Sequence, residues 1–124
     1  MKVLLSIKPE FAAKIFNGSK GYEYRRAILK HTEVRTIVVY ASNPIKKVIG
    51  EFDIEKIIQD DPMSLWSSTK ECSGITLESF LKYFTNKKIG YAIKIASTKI
   101  YDSPKPLSSL NITTAPQSFR YLPD

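Results

Sequence analysis

The sequence predicts an α+β domain built on a small curved or closed sheet. Two observations carry this. Strand-like stretches outnumber helical ones, and they are not spaced as repeated strand–helix–strand units. The length of 124 residues supports one core and is too short for two ordinary ones.

The elements follow from local pattern. Lys2–Ile7 reads as a strand entering the core. Pro9 then opens a helix where a missing N–H costs nothing, and Phe11, Ala12, Ile15 and Phe16 recur at helical spacing through 9–17. Asn17-Gly18 stops that helix, because Gly takes left-handed geometry without a Cβ penalty. Residues 20–25 alternate, with Tyr22 and Tyr24 on one side and Glu23 and Arg25 on the other, as in a strand. Thr36–Ala41 is a β-rich run ended by Ser42-Asn43-Pro44, and 48–58 forms a longer strand in which Val48, Gly50, Phe52 and Ile54 alternate with charged residues. Two short helices are expected over 62–70 and 77–84, the second with Thr76 as its N-cap. A last strand covers 90–100. The tail contains Pro104, Pro106, Pro116 and Pro123, which predicts a loop with short local structure.

Composition excludes several function classes. Apolar residues make up 43% and charged residues 25%, a globular mix rather than a disordered one. The single Cys72 cannot form an internal disulfide, and the single His31 cannot complete a zinc site with it. No metal or other cofactor is expected. The opening apolar run ends at Lys8, too early for a signal sequence or a membrane span, so the expectation is a soluble cytoplasmic protein.

The net charge of +7 is unevenly distributed. Residues 1–50 carry ten cations and three anions, 51–86 three cations and seven anions, and 87–124 six cations and two anions. The excess of cations favours an anionic partner such as nucleic acid, phosphate or acidic lipid, and the basic ends and acidic middle give either one positive and one negative face, if the ends meet in the fold, or ordinary solvated faces. Lys46-Lys47 and Lys87-Lys88 suit either phosphate contacts or a solvated surface.

Lys20, Glu23 and Arg25 put two cations and a carboxylate within six residues. Arg25 offers a planar donor fork suited to phosphate or carboxylate, and Glu23 can accept from an exocyclic amine of a base. In an enzyme, Glu23 would be a general base and Lys20 an electrostatic stabiliser or proton donor. Glu23 and Arg25 share strand parity, so they can also pair with each other. Ser42 ends a strand where it can bond a ligand or shape the turn. Gln117, Ser118 and Arg120 supply polar groups if the tail folds back over a cleft. Tyr22, Tyr24, Tyr40, Tyr91, Phe119 and Tyr121 are candidates for core or for base stacking.

The segment 18–25 fits Gly-x-Lys-x-x-Glu-x-Arg directly after a helix beginning Lys8-Pro9-Glu10. It resembles the signature of the ASCH domains of the PUA-like superfamily. Leu5-Ser6-Ile7-Lys8-Pro9, Val39-Tyr40-Ala41-Ser42, Val48-Ile49-Gly50-Glu51-Phe52, Gly90-Tyr91-Ala92-Ile93 and the closing 116–121 extend the likeness over nearly the whole chain. The resemblance implies one PUA-like domain over 1–124, a small β-barrel with flanking short helices and a cleft beside the first helix. It implies an RNA- or nucleic-acid-binding module that recognises a nucleotide or modified base, acting in translation or its regulation. The binding residues would be Lys20, Glu23, Arg25, Ser42, Gln117, Ser118 and Arg120, and the partner RNA, another nucleic acid or a nucleotide-like small molecule, with no membrane involved. A subset of similar proteins are amidohydrolases of acylated cytidine that use a Lys and, three residues on, a Thr nucleophile. Here Lys20 is present and Glu23 stands in the Thr position. Two rival readings are therefore a hydrolase, either amidohydrolase or ribonuclease, using Lys20 and Glu23, and a protein-interaction domain whose acidic middle meets a basic partner.

Overall fold

A computed structural model describes residues 1–123. The chain runs β1 (Lys2–Ile7), α1 (Pro9–Phe16), β2 (Tyr22–Arg25), β3 (Thr36–Ala41), β4 (Lys47–Asp60), α2 (Pro62–Thr69), α3 (Leu77–Tyr83), β5 (Gly90–Lys105) and β6 (Phe119–Leu122). One-turn 3₁₀ segments lie at Lys70–Cys72 and Leu107–Leu110.

All six strands join one mixed sheet in the order β2-β5-β4-β3-β1-β6. β1 and β3 are parallel, and the other pairs are antiparallel. The α+β class and the mixed sheet match the sequence reading. The expected closure into a barrel is not seen, because β2 and β6 remain as edges in the strand pairing of the described residues. Bending comes instead from register shifts, one between β3 and β4 at Val39/Tyr40 and three between β4 and β5.

β1 is apolar at consecutive positions because both of its faces are covered. Val3, Leu5 and Ile7 join Ala12 and Ile15 of α1, Phe52 and Ile93 in the main core. Leu4 points the other way, into a second cluster with Val38, Tyr40, Val48 and Ile112, roofed by the tail. A third cluster seats α2 and α3 on β2 and β5 through Leu65, Phe80, Phe84, Tyr24 and Ala92. Asp61 and Thr76 cap α2 and α3 by accepting from the backbone N–H groups of Ser64 and Ser79.

The tail departs from expectation at its start. β5 continues through Pro104 to Lys105, since β2 pairs only with residues 91–94 and leaves the outer edge of β5 free of a ladder that a proline would break. The short local structure expected farther on includes β6, four residues on the outer edge of β1 with Phe119 opposite Leu5 and Tyr121 opposite Val3.

Gly50 of β4 lies against the Phe16 ring of α1 and the Lys99 backbone of β5. A Cβ there would lie 2.6 Å from the Lys99 carbonyl oxygen and 2.7 Å from Cζ of Phe16. Gly50→Ala is therefore expected to lose about 1–3 kcal/mol through overpacking, read as a lower urea midpoint at unchanged slope.

Candidate functional site

The first helix is short because it stops at Asn17, whose backbone N–H bonds the Ala13 carbonyl, and Gly18 then turns the chain at φ +87°. The turn delivers Lys20 to the base of a cleft of about 510 Å³. One wall is the end of β1 and the start of α1, with Ser6, Lys8, Glu10 and Phe11. The other is Ile75 and the α3 residues Ser79, Lys82 and Tyr83. The approach to β2 and β2 itself form the floor with Lys20, Glu23, Tyr24 and Arg25.

The floor holds three ionisable groups largely out of water. Lys20 is 3% exposed and Glu23 6%. The Lys20 ammonium donates to the Ser73 carbonyl at 2.6 Å and lies 5.2 Å and 4.8 Å from the ring centres of Phe11 and Tyr24. Desolvation lowers its pKa to about 8, against a raising field from Glu23, and Lys14 lowers it further. Burial also pushes the Glu23 carboxyl upward, although Arg25 and Lys20 both pull it down. An amine whose proton is held less tightly than usual and a carboxyl whose proton is held more tightly now face one cavity.

Arg25 donates through Nη1 to Oε2 of Glu23 at 3.4 Å, so the parity pairing expected from sequence forms. Its guanidinium lies over the Phe119 ring at 5.3 Å, and its Nε is buried with no hydrogen-bond partner among the described residues. A second contact ties Tyr24 to α2, where its hydroxyl and that of Thr69 share a hydrogen bond of 2.7 Å. Desolvation raises the Tyr24 hydroxyl to about 12.

The seven site residues expected from sequence divide into two groups. Lys20, Glu23 and Arg25 converge on the cleft. Ser42, Gln117, Ser118 and Arg120 are not among its lining residues. Ser42 is half-buried and gives its backbone N–H to the carbonyl of Ile7, a cleft residue, while its own carbonyl accepts from Ile45 in the turn. Gln117 and Ser118 are exposed between two anchors beside the cleft. The first is Pro116, whose carbonyl accepts from Ser6 Oγ at 2.8 Å, and the second is Phe119 under Arg25. Arg120 is exposed on β6. Sequence reasoning missed Phe11, Lys82, Tyr83 and the Ser73 carbonyl. Ser79, Lys82 and Tyr83 have the three- and four-residue spacing of one helical face, a signal that was present but pointed to no partner. Among the described residues no group of three or more His, Cys, Asp or Glu could hold a metal ion, and no helix is long and apolar enough to cross a membrane.

A small mixed-sheet domain with a partly enclosed cleft, floored by a buried Lys, Glu and Arg, is the class that fold and site define. The chain belongs to the ASCH domain family, whose model matches residues 5–101. It is 33% identical over 95 residues to an ASCH domain-containing ribonuclease of Zymomonas mobilis, covering 75% of this chain and 64% of that protein. The crystal structure of ASCH from Zymomonas mobilis superposes with a TM-score of 0.90 at 29% identity, covering 98% of this chain and 87% of that one. In Ureaplasma parvum, the ATP synthase subunit alpha is 30% identical over 121 residues and the large ribosomal subunit protein uL22 is 28% identical over 120. Each match takes in 97% of this chain, which spans 15% and 39% of the length of these two curated relatives. The N-terminal domain of Staphylothermus marinus McrB shares the fold at a TM-score of 0.52 and 14% identity.

The unfolded chain keeps the Lys20 proton up to the ordinary value of 10.5, whereas the folded chain releases it near 8. Between those values the unfolded state binds more protons, so stability should rise with pH across the window, by up to about 3 kcal/mol. Urea titrations from pH 7.5 to 10.5 read this rise, and Lys20→Met should flatten it. Glu23→Gln removes the raising field and should move the Lys20 midpoint, followed by NMR at its Cε, below that of the unaltered protein.

Proposed function

We propose that this chain is an RNA-binding domain whose cleft takes a single nucleotide or modified base. The observation that carries the reading is the convergence of Lys20, Glu23 and Arg25 on the floor of one cavity of about 510 Å³. That volume lies within the roughly 300–1,000 Å³ typical of small-ligand sites. A base edge offers both acceptors and an exocyclic donor, which suits a cation beside a carboxylate. Arg25 and the exposed rim lysines Lys8 and Lys82 suit phosphate. RNA enters the reading through the relative named a ribonuclease. Gln117, Ser118 and Arg120 would contact the strand outside the cleft, with Ser42 setting the β3 end beside Ile7. Residues 1–124 act as one domain in this reading, and its setting is translation or its regulation.

Fluorescence anisotropy with labelled RNA and DNA oligonucleotides tests it. Two or three phosphate contacts predict a slope of log K against log salt of about −1.4 to −2.1. Arg25→Gln should weaken binding about ten-fold or more, as expected for lost hydrogen bonds from a charged group. No binding to any oligonucleotide at low salt overturns the reading.

A ribonuclease is the second reading, favoured by that relative's name and by the opposed shifts of Lys20 and Glu23. Glu23 would take the proton of the attacking hydroxyl as its oxygen bonds phosphorus, and Lys20 would stabilise charge on the phosphoryl oxygens and give a proton to the oxygen that leaves as the old P–O bond breaks. Lys20→Met should then abolish cleavage while the protein stays folded, and no product from single-stranded RNA with the purified chain overturns it.

A further inference from the structure

Resting on the RNA-binding reading, we propose that Lys46, Lys47 and Lys105 form a second docking surface outside the cleft, along one end of the sheet, where the RNA strand continues past Lys8. The pairing of the strands sets this surface. Ile7 closes β1 and lines the cleft, with Lys8 next to it on the rim. Ile7 is opposite Ala41 at the end of β3, and Ala41 is opposite Lys47 at the start of β4. The next residue of β4, Val48, is opposite Lys105 at the end of β5. Neighbouring strands lie about 4.8 Å apart, so the three steps from β1 to β5 carry the row roughly 14 Å away from the cleft wall.

The row is positive and lacks carboxylates. No Asp or Glu occurs in 34–50, which carries β3 and the turn into β4, or in 103–123, which begins at the end of β5. Lys8, Lys46, Lys47 and Lys105 are all exposed, and none of them pairs with a carboxylate among the described residues. The Lys105 ammonium lies instead 4.7 Å from the centre of the Tyr101 ring. Toward the opposite end of the same strands, charge is balanced locally. There Lys2 pairs with Glu51, and Asp53 accepts from Thr36 and Ser97. A polyanion is therefore drawn to the end that continues the cleft rim.

The backbone at Lys46 supports the same reading. Among the described residues, three that are not glycine have positive φ: Asn86, Asn111 and Lys46, the last at +54°. Asn suits that region because its short side chain bonds locally, and Gly is free of the strain altogether. A lysine has neither advantage. Its place in the turn is accounted for by what its ammonium meets in solution.

Fluorescence anisotropy with a labelled three-nucleotide RNA and a labelled twelve-nucleotide RNA tests the surface. The short strand occupies the cleft, and the long one reaches both surfaces. Each phosphate contact adds about −0.7 to the slope of log K against log salt, so the long strand should give a slope steeper by about 2 than the short one. Lys46→Gly, Lys47→Gln and Lys105→Gln together should return the long strand to the short strand's slope. They should also weaken it about ten-fold or more at low salt, with short-strand affinity nearly unmoved. Lys30→Gln, Lys56→Gln and Lys70→Gln together remove the same charge from other exposed lysines and should leave the steeper slope in place. Lys46→Gly alone should keep or raise the urea midpoint while weakening the long strand, a combination that a purely structural lysine does not give. Equal slopes for the two strands, or equal losses from the two triple variants, overturn the surface and leave RNA binding in the cleft standing. Binding to phosphatidylserine vesicles that the first triple variant loses, with its RNA affinity intact, overturns it in favour of a membrane. No binding of either strand overturns both this surface and the RNA-binding reading.

Discussion

Burial of the Lys20 ammonium constrains more of this molecule than any other single contact. A cation removed from water needs a partner of fixed geometry, and the Ser73 carbonyl provides it at 2.6 Å. The contact spans 53 residues and fixes the loop before α3 against the segment after α1. Gly74 follows Ser73 at φ +66°, and a Cβ there would lie 2.6 Å from Cβ of Lys20. Lys14 then donates to the Gly74 carbonyl at 3.2 Å, so two lysines hold successive carbonyls of one loop. Because the loop leads directly into α3, this clasp also sets where Ser79, Lys82 and Tyr83 stand relative to β2.

The same burial explains why the floor is chemically unusual. An exposed Lys–Glu–Arg group would sit near ordinary pKa values and contribute little. Here desolvation dominates both Lys20 and Glu23, and the attraction among the three charges recovers only part of it. The long 3.4 Å approach of Arg25 to Glu23 and the Arg25 Nε, unpartnered among the described residues, belong to the same unbalanced arrangement. Such a site costs folding free energy that the three apolar clusters must supply.

Local chemistry made much of this legible in the sequence. Pro9, Asn17-Gly18 and Thr76 mark real helix ends, and the alternation around Glu23 and Arg25 correctly gives them one strand face. What stayed hidden depends on partners far along the chain. β6 is four residues with prolines nearby, and it becomes a strand because β1 offers an unpaired edge. An open sheet rather than a barrel follows from which strands find neighbours, and no periodicity within a strand reports that. For the site, the motif identified the floor, but the walls come from α1 and α3, 72 residues apart between Phe11 and Tyr83. The Ser73 carbonyl is a backbone group and leaves no residue-type signal at all.

The charge total illustrates the limit of composition as a guide to function. The cleft lining carries Lys8, Lys20, Arg25 and Lys82 against Glu10 and Glu23, an excess of two out of the chain's +7. Attraction of an anionic strand from a distance therefore rests mainly on cations elsewhere, where screening over about 10 Å weakens it with added salt. In the proposed RNA-binding reading, selection at the floor would depend on groups whose pairing salt scarcely reaches, because they are buried. Association and discrimination would then be carried by different residues. The likeness to the McrB domain at 14% identity is one of fold alone, and a shared fold does not fix the side chains of a site.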